Sequence, residues 1–353
     1  MSRSHATKPS LINDEIKPTL VAMTLPMLVG MLTLMTFNLV DTFFISMLGT
    51  EQLAAISFTF PVSFTLISLA IGLSIGTSAV IARALGSGDE QSARSDGLAA
   101  LWLSAYLVIA LSILGYLTID PLFRLLGAKA DTLPFIHDYM SWWFFGAVFL
   151  ITPMIGNAVL RAAGDTKTPS LMMACSGLIN AVLDPMLIFG FGPIPALGMQ
   201  GAAIATLISW VFGSVLIIYL LVKRDLISTN WIHASQLNQV CRKILRIGLP
   251  AAGANMLTPL AMAVLTAILA NYGASAVAAF GVGARIESIA CLVVLALSMT
   301  LPPFVSQNYG AGLLGRVQQA YRLCGRFVLV WQLAIYLLLA VLAVPLARLF
   351  SSE

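Results

Sequence analysis

Long apolar stretches separated by short polar turns run the whole length of the chain. A helix needs about 20 mostly apolar residues to cross a bilayer. Stretches of that kind fall at about 18–46, 53–84, 97–119, 134–160, 169–190, 199–222, 244–271, 276–308 and 318–347. The pattern predicts nine helices, several long enough to tilt or to project into water. The separators carry turn residues: Leu48-Gly49-Thr50-Glu51, Gly86-Ser87-Gly88-Asp89, Gly164-Asp165-Thr166-Lys167 and Phe191-Gly192-Pro193-Ile194-Pro195. One connection is long, roughly Lys223 to Cys241, with Trp231, Ile232 and Leu237 among polar residues. It reads equally as an interfacial amphipathic helix or as a flexible linker.

The pattern also repeats. Leu25-Pro26 recurs as Leu249-Pro250, Gly49 as Gly273, Ala54-Ala55 as Ala278-Ala279, and Gly86 and Gly88 as Gly310 and Gly312, all at a constant offset of 224 residues. Pro121-Leu122 and Arg124-Leu125 return as Pro345-Leu346 and Arg348-Leu349. Two homologous bundles follow, six helices in the first and three in the second. The expected organisation is an N-terminal segment 1–17, a six-helix lobe 18–222, a linker 223–242 and a partial second lobe 243–353. By this offset Glu353 answers to Lys129, so the counterparts of residues 130 to 223 are missing and the chain reads as C-terminally truncated.

Composition sharpens the class. Hydrophobic residues make up 59% and charged residues 10%, against about 25% charged in soluble domains. The chain is therefore expected to be an all-α polytopic membrane protein. Fifteen Lys and Arg fall in segments on the side of the N-terminus, while Arg124, Lys129 and Arg348 fall opposite and Arg285 lies within a helix. Positive charge stays on the cytoplasmic side, so a cytoplasmic N-terminus in an inner or plasma membrane is expected. Topology thus accounts for the basic residues, which leaves no support for nucleic-acid binding. Cys175, Cys241, Cys291 and Cys324 show no ligand or disulfide spacing and read as packing residues. No nucleophile–His–Asp set is visible, and Gly86-Ser87-Gly88-Asp89 lacks the strand and the Lys-Ser/Thr of a phosphate loop. An enzyme, a cofactor and a resident metal are not expected.

Three acids, Asp41, Asp184 and Glu287, sit inside apolar helices. A charge at such depth is costly and survives facing a cavity, a partner or an ion. Asp41 and Asp184 each lie five or six residues from the outer helix end, roughly 8–9 Å down at 1.5 Å per residue. Asn180 shares a helix face with Asp184, and Thr206 reaches a similar level from the next helix. These four oxygen-bearing side chains suit a proton or, if coupling is to sodium, Na⁺; the plainer alternative is a hydrogen-bonded network tying three helices together. Pro26 removes one backbone hydrogen bond from the helix of Asp41 and makes it a place to bend, or a fixed kink. Its counterpart Pro250 repeats this, but Asp41 answers to Leu265. Glu287 either lines a substrate cavity or makes a structural hydrogen bond.

The segments Asn38-Leu39-Val40-Asp41-Thr42-Phe43-Phe44-Ile45, Arg161-Ala162-Ala163-Gly164-Asp165-Thr166-Lys167-Thr168-Pro169, Asn180-Ala181-Val182-Leu183-Asp184-Pro185 and Gly283-Ala284-Arg285-Ile286-Glu287-Ser288 resemble multidrug and toxic compound extrusion (MATE) transporters, especially the DinF-type subgroup. The resemblance implies two lobes in a V around a central cavity that alternates its access. It implies H⁺- or Na⁺-coupled antiport of amphipathic or cationic drugs by a monomer in the bilayer. The cation site would lie at Asp41, Asn180, Asp184 and, less directly, Thr206. The alternative is a lipid-linked saccharide flippase of the same superfamily, which should carry basic residues in its cavity, where only Arg285 qualifies.

Overall fold

The computed structural model describes residues 10–128, 131–193, 195–230 and 234–350. Its helices are α1 (Ile16–Ser46), α2 (Thr50–Gly86), α3 (Glu90–Leu117), α4 (Ile119–Leu125), α5 (Leu133–Ala162), α6 (Lys167–Ile188) and α7 (Gly198–Lys223). The second half holds α8 (Ala234–Ala270), α9 (Ala274–Ala290), α10 (Leu292–Gly310) and α11 (Leu314–Phe350). Among the described residues, eight helices are long and apolar enough to cross a membrane alone, and α9 with α10 passes as one bent span. The protein is an all-α, polytopic membrane protein.

Three features depart from the expected helices. The segment after α3 forms the separate short helix α4. Pro121 has no N–H to offer the carbonyl of Leu117, and the break falls at Thr118, whose hydroxyl turns back to Leu114 O at 2.7 Å. The eighth span bends by 44° at Cys291, while its counterpart in α2 is one helix. The long connection is shorter than expected, because its last part, from Ala234, is already helix. Trp231 and Ile232 lie outside the described residues.

The repeat is visible in the helix boundaries. Shifted by 224, the limits of α2 become the outer limits of α9 and α10, and the start of α3 becomes the start of α11. The turn glycines recur with their backbone conformation: φ is 138° at Gly49 and 105° at Gly273, 80° at Gly88 and 75° at Gly312. A side chain is strained at such angles, so both copies turn at the same places for the same reason.

Lipid is as apolar as the helix faces, so the helices are held by close packing of small residues rather than by hydrophobic expulsion. A Cβ on Gly30 of α1 would lie 2.8 Å from Ser170 Cα of α6. One on Gly177 of α6 would overlap the ring of Phe37. These contacts set α1 against α6 along much of their length. The two halves meet near the end that carries the N-terminus. There Gly86 abuts the Gln307 carbonyl and Gly310 abuts the Arg83 carbonyl, a reciprocal pair under the 224-residue offset. Asn308 Nδ2 donates to Leu11 O at 2.9 Å, and Arg316 donates to Asn308 Oδ1 at 2.8 Å and to Asp14 O at 2.6 Å. Arg161, near the end of α5, is buried and donates to Ser74 Oγ of α2 at 2.8 Å.

Candidate cation site

Local sequence places the four predicted side chains at one level. Asp165 starts α6: its Oδ1 accepts from Thr168 N at 3.0 Å and its Oδ2 from Thr168 Oγ1 at 2.6 Å, while Arg224 at the end of α7 pairs with the same carboxylate. This clamp fixes α6 beside α7. Gly201 of α7 lies against the Leu187 carbonyl of α6, which brings Thr206 opposite Asn180. Phe37 nests on Gly177 one turn below Asp41, and Phe44 meets Phe189 edge-on at 6.3 Å just above it. Asp41 is thereby held against α6.

Asn180 Nδ2 donates to Asp184 Oδ1 at 3.1 Å and to Thr206 Oγ1 at 3.3 Å. The Asp41 and Asp184 carboxyls lie close enough to act on each other. Asp184 is fully buried, and Asp41, Asn180 and Thr206 are half-buried. Asp41 Oδ1 and Asp184 Oδ2 are buried without a donor. Two ionised carboxylates are acceptors only, so the pair can share a hydrogen bond only when one of them carries a proton. Neither acid belongs to an ion pair among the described residues. The constellation is thus a pair of facing acids, with an amide that donates directly to one of them and to a neighbouring hydroxyl.

The structure adds Tyr139 of α5, which stands close enough to both acids to feel their charge. No sequence signal marked it, because a tyrosine near the end of an apolar helix is ordinary. It also shows that Asp96, on α3, is buried within a span, with Lys243 of α8 acting on it. Glu287 is not part of the cluster; it and Arg285 are exposed on α9. Pro26 lies within α1, which continues through it as helix.

Buried acids within a bundle of membrane-spanning helices suit a membrane transporter. The MatE family matches residues 26–186 and 250–353, and the chain belongs to that family of MATE transporters. It is 47% identical over 344 residues to the FAD transporter of Shewanella oneidensis, covering 97% of this chain and 76% of that protein. It is 29% identical over 286 residues to the probable multidrug resistance protein YoeA of Bacillus subtilis, covering 78% of this chain but only 60% of YoeA. Among solved structures it is similar to the Vibrio cholerae MATE transporter VcmN in the bent form, at a TM-score of 0.88 and 37% identity, covering 96% of this chain and 76% of VcmN.

Proposed function

We propose that the chain is a proton-coupled antiporter that exports amphipathic organic compounds, with the Asp41–Asp184 pair as the coupling site. The supporting observation is that two buried acids face each other with a donor missing on each. Close acids in low dielectric cannot both ionise cheaply, so the pair holds one proton and gives it up when the site opens to water. Asn180 donates to Asp184 and to Thr206, which holds the Asp184 carboxyl in place beside Asp41. Proton binding favours one conformer by its differential affinity; Pro26 lets the outer part of α1 respond. The segments beside the joined end of the halves carry most of the Lys and Arg, so that end faces the cytoplasm of the inner or plasma membrane.

For the cargo, the acidic, otherwise apolar interior favours cationic or neutral amphipathic compounds. A second cargo, a flavin dinucleotide, is favoured by a specific observation: identity to the FAD transporter is 47%, against 29% to YoeA. Everted membrane vesicles carrying the chain should take up ethidium or FAD when a proton gradient is imposed, and not with a sodium gradient alone. Asp41→Asn and Asp184→Asn should abolish this flux at unchanged protein level. Uptake that survives in both variants refutes the coupling site, and uptake driven only by sodium refutes the choice of ion.

A further inference from the structure

On the side of the junction opposite the α2–α8 contact, α1, α10 and α11 enclose a groove of about 260 Å³. Its walls are apolar, from Val21, Leu25, Leu28, Val293, Leu297 and Phe327, and Lys17 stands at its mouth. The internal repeat explains why it is there. The offset of 224 maps the α1–α10 contact onto α8–α2, so each side is a control for the other. On the α2–α8 side the contact residues are Gly72, Gly76 and Gly248. A Cβ on Gly72 would meet the Gly248 carbonyl, and would lie 2.6 Å from Ala252 Cβ. On the α1–α10 side the equivalent residues are Ala296, Thr300 and Thr24. There the helices are spaced by a hydroxyl pair, Thr24 Oγ1 and Thr300 Oγ1, at 2.8 Å. Small residues close one side, and larger ones prop the other open.

At three positions charge differs between the two sides. Lys17 is exposed at the mouth, and Arg322 and Arg326, next to the lining residues of α11, are exposed too. None of the three forms an ion pair among the described residues. Their counterparts on the closed side are Cys241, Leu98 and Trp102, all uncharged. All three precede or border the apolar part of their helices, at the headgroup level of the leaflet on the N-terminal side.

We infer that this groove holds one acyl chain of an anionic phospholipid from that leaflet, with its phosphate among Lys17, Arg322 and Arg326. The lipid would bridge α1 of the first half and α10–α11 of the second. Basic side chains near a bilayer surface each favour an anionic headgroup by roughly fivefold.

To test this, the chain is assembled in nanodiscs of equal phosphatidylglycerol and phosphatidylcholine, extracted into mild detergent, and its retained lipid measured by mass spectrometry. Phosphatidylglycerol should be retained in an excess of at least roughly fivefold, the effect of one of the three basic side chains alone. The excess should vanish in Lys17→Gln/Arg322→Gln/Arg326→Gln and persist in Arg242→Gln/Lys243→Gln on the closed side. An excess that survives the triple change, or is lost equally in the control, overturns the proposal. A second measurement leaves the charges intact: a tryptophan at Leu25, an exposed lining position, should be quenched more by phosphatidylglycerol with a brominated acyl chain than by its phosphatidylcholine analogue. Equal quenching, or a cross-linked dimer through Val21→Cys in place of quenching, assigns the groove elsewhere.

Discussion

Gly177 offers a direct handle on the geometry that brings the two acids together. In an unobstructed helix, Gly→Ala stabilises by about 0.5–1 kcal/mol through chain entropy. Here the new methyl overlaps Phe37 Cδ2 and lies 2.9 Å from Cγ and 3.1 Å from Cε2. These atoms are at the base and side of the ring, so rotation about χ1 relieves the overlap only by leaving a staggered rotamer. Restoring ordinary carbon–carbon contact requires α1 to retreat by about 1 Å, and overpacking of this size costs about 1–3 kcal/mol. Removing the ring with Phe37→Ala removes the obstacle. Gly177→Ala should therefore be neutral to destabilising in the native background and stabilising when Phe37 is Ala, a coupling of about 1–3 kcal/mol. The four proteins can be compared by SDS-driven unfolding in mixed micelles. Because Asp41 lies one turn beyond Phe37, Gly177→Ala alone should also weaken proton-driven flux, since hydrogen bonds fade steeply beyond about 3.2 Å. If Gly177→Ala changes stability equally in both backgrounds, to within about 0.5 kcal/mol, α1 is not seated on α6 as described.

Two further outcomes follow from contacts outside that pair. At Asp165 burial raises the carboxyl, but the hydrogen bonds from Thr168 and the Arg224 guanidinium outweigh it and hold the group below the usual carboxylate range. A depressed value means that its stabilisation is complete above the ordinary range and is lost as pH falls through the depressed one. Asp165→Ala should thus cost about 1–2 kcal/mol at neutral pH, and unfolding midpoints of variant and native chain should converge in strong acid. At the junction of the halves, Gly310→Leu should lower the unfolding midpoint by an amount equivalent to about 1–3 kcal/mol, whereas Gly315→Leu, whose Cβ meets nothing within 4 Å, should leave it unchanged; equal effects would mean that the halves are not in contact there.

Much of this arrangement was legible in the chain because membrane helices make depth readable. Counting residues from the polar turns put Asp41, Asn180, Asp184 and Thr206 at one level, and the turns held because their glycines take angles that other residues avoid. What escaped had no periodic or compositional mark. Tyr139 is one aromatic among many in the spans, and Asp96 and Arg161 lie near helix ends, where only the packing of neighbouring helices shows them to be buried. The separate α4 and the bend at Cys291 belong to single positions inside long apolar runs, where the pattern is silent.

The duplication carries the argument further than either half alone. Its two copies share turn glycines, the Pro26/Pro250 pair and the outer limits of α2 and α9–α10, so differences between equivalent residues are differences of chemistry on a common frame. Asp41 answers to Leu265, exposed on α8, so a proton entering the first half has no acid at the equivalent place in the second. Thr24 answers to Gly248, so the halves touch tightly along α2–α8 and loosely along α1–α10. The helix that carries Asp41 is therefore also the one on the loosely packed side. A motion of α1 meets less resistance than the same motion in α8, and the looser side is the one whose rim carries Lys17, Arg322 and Arg326.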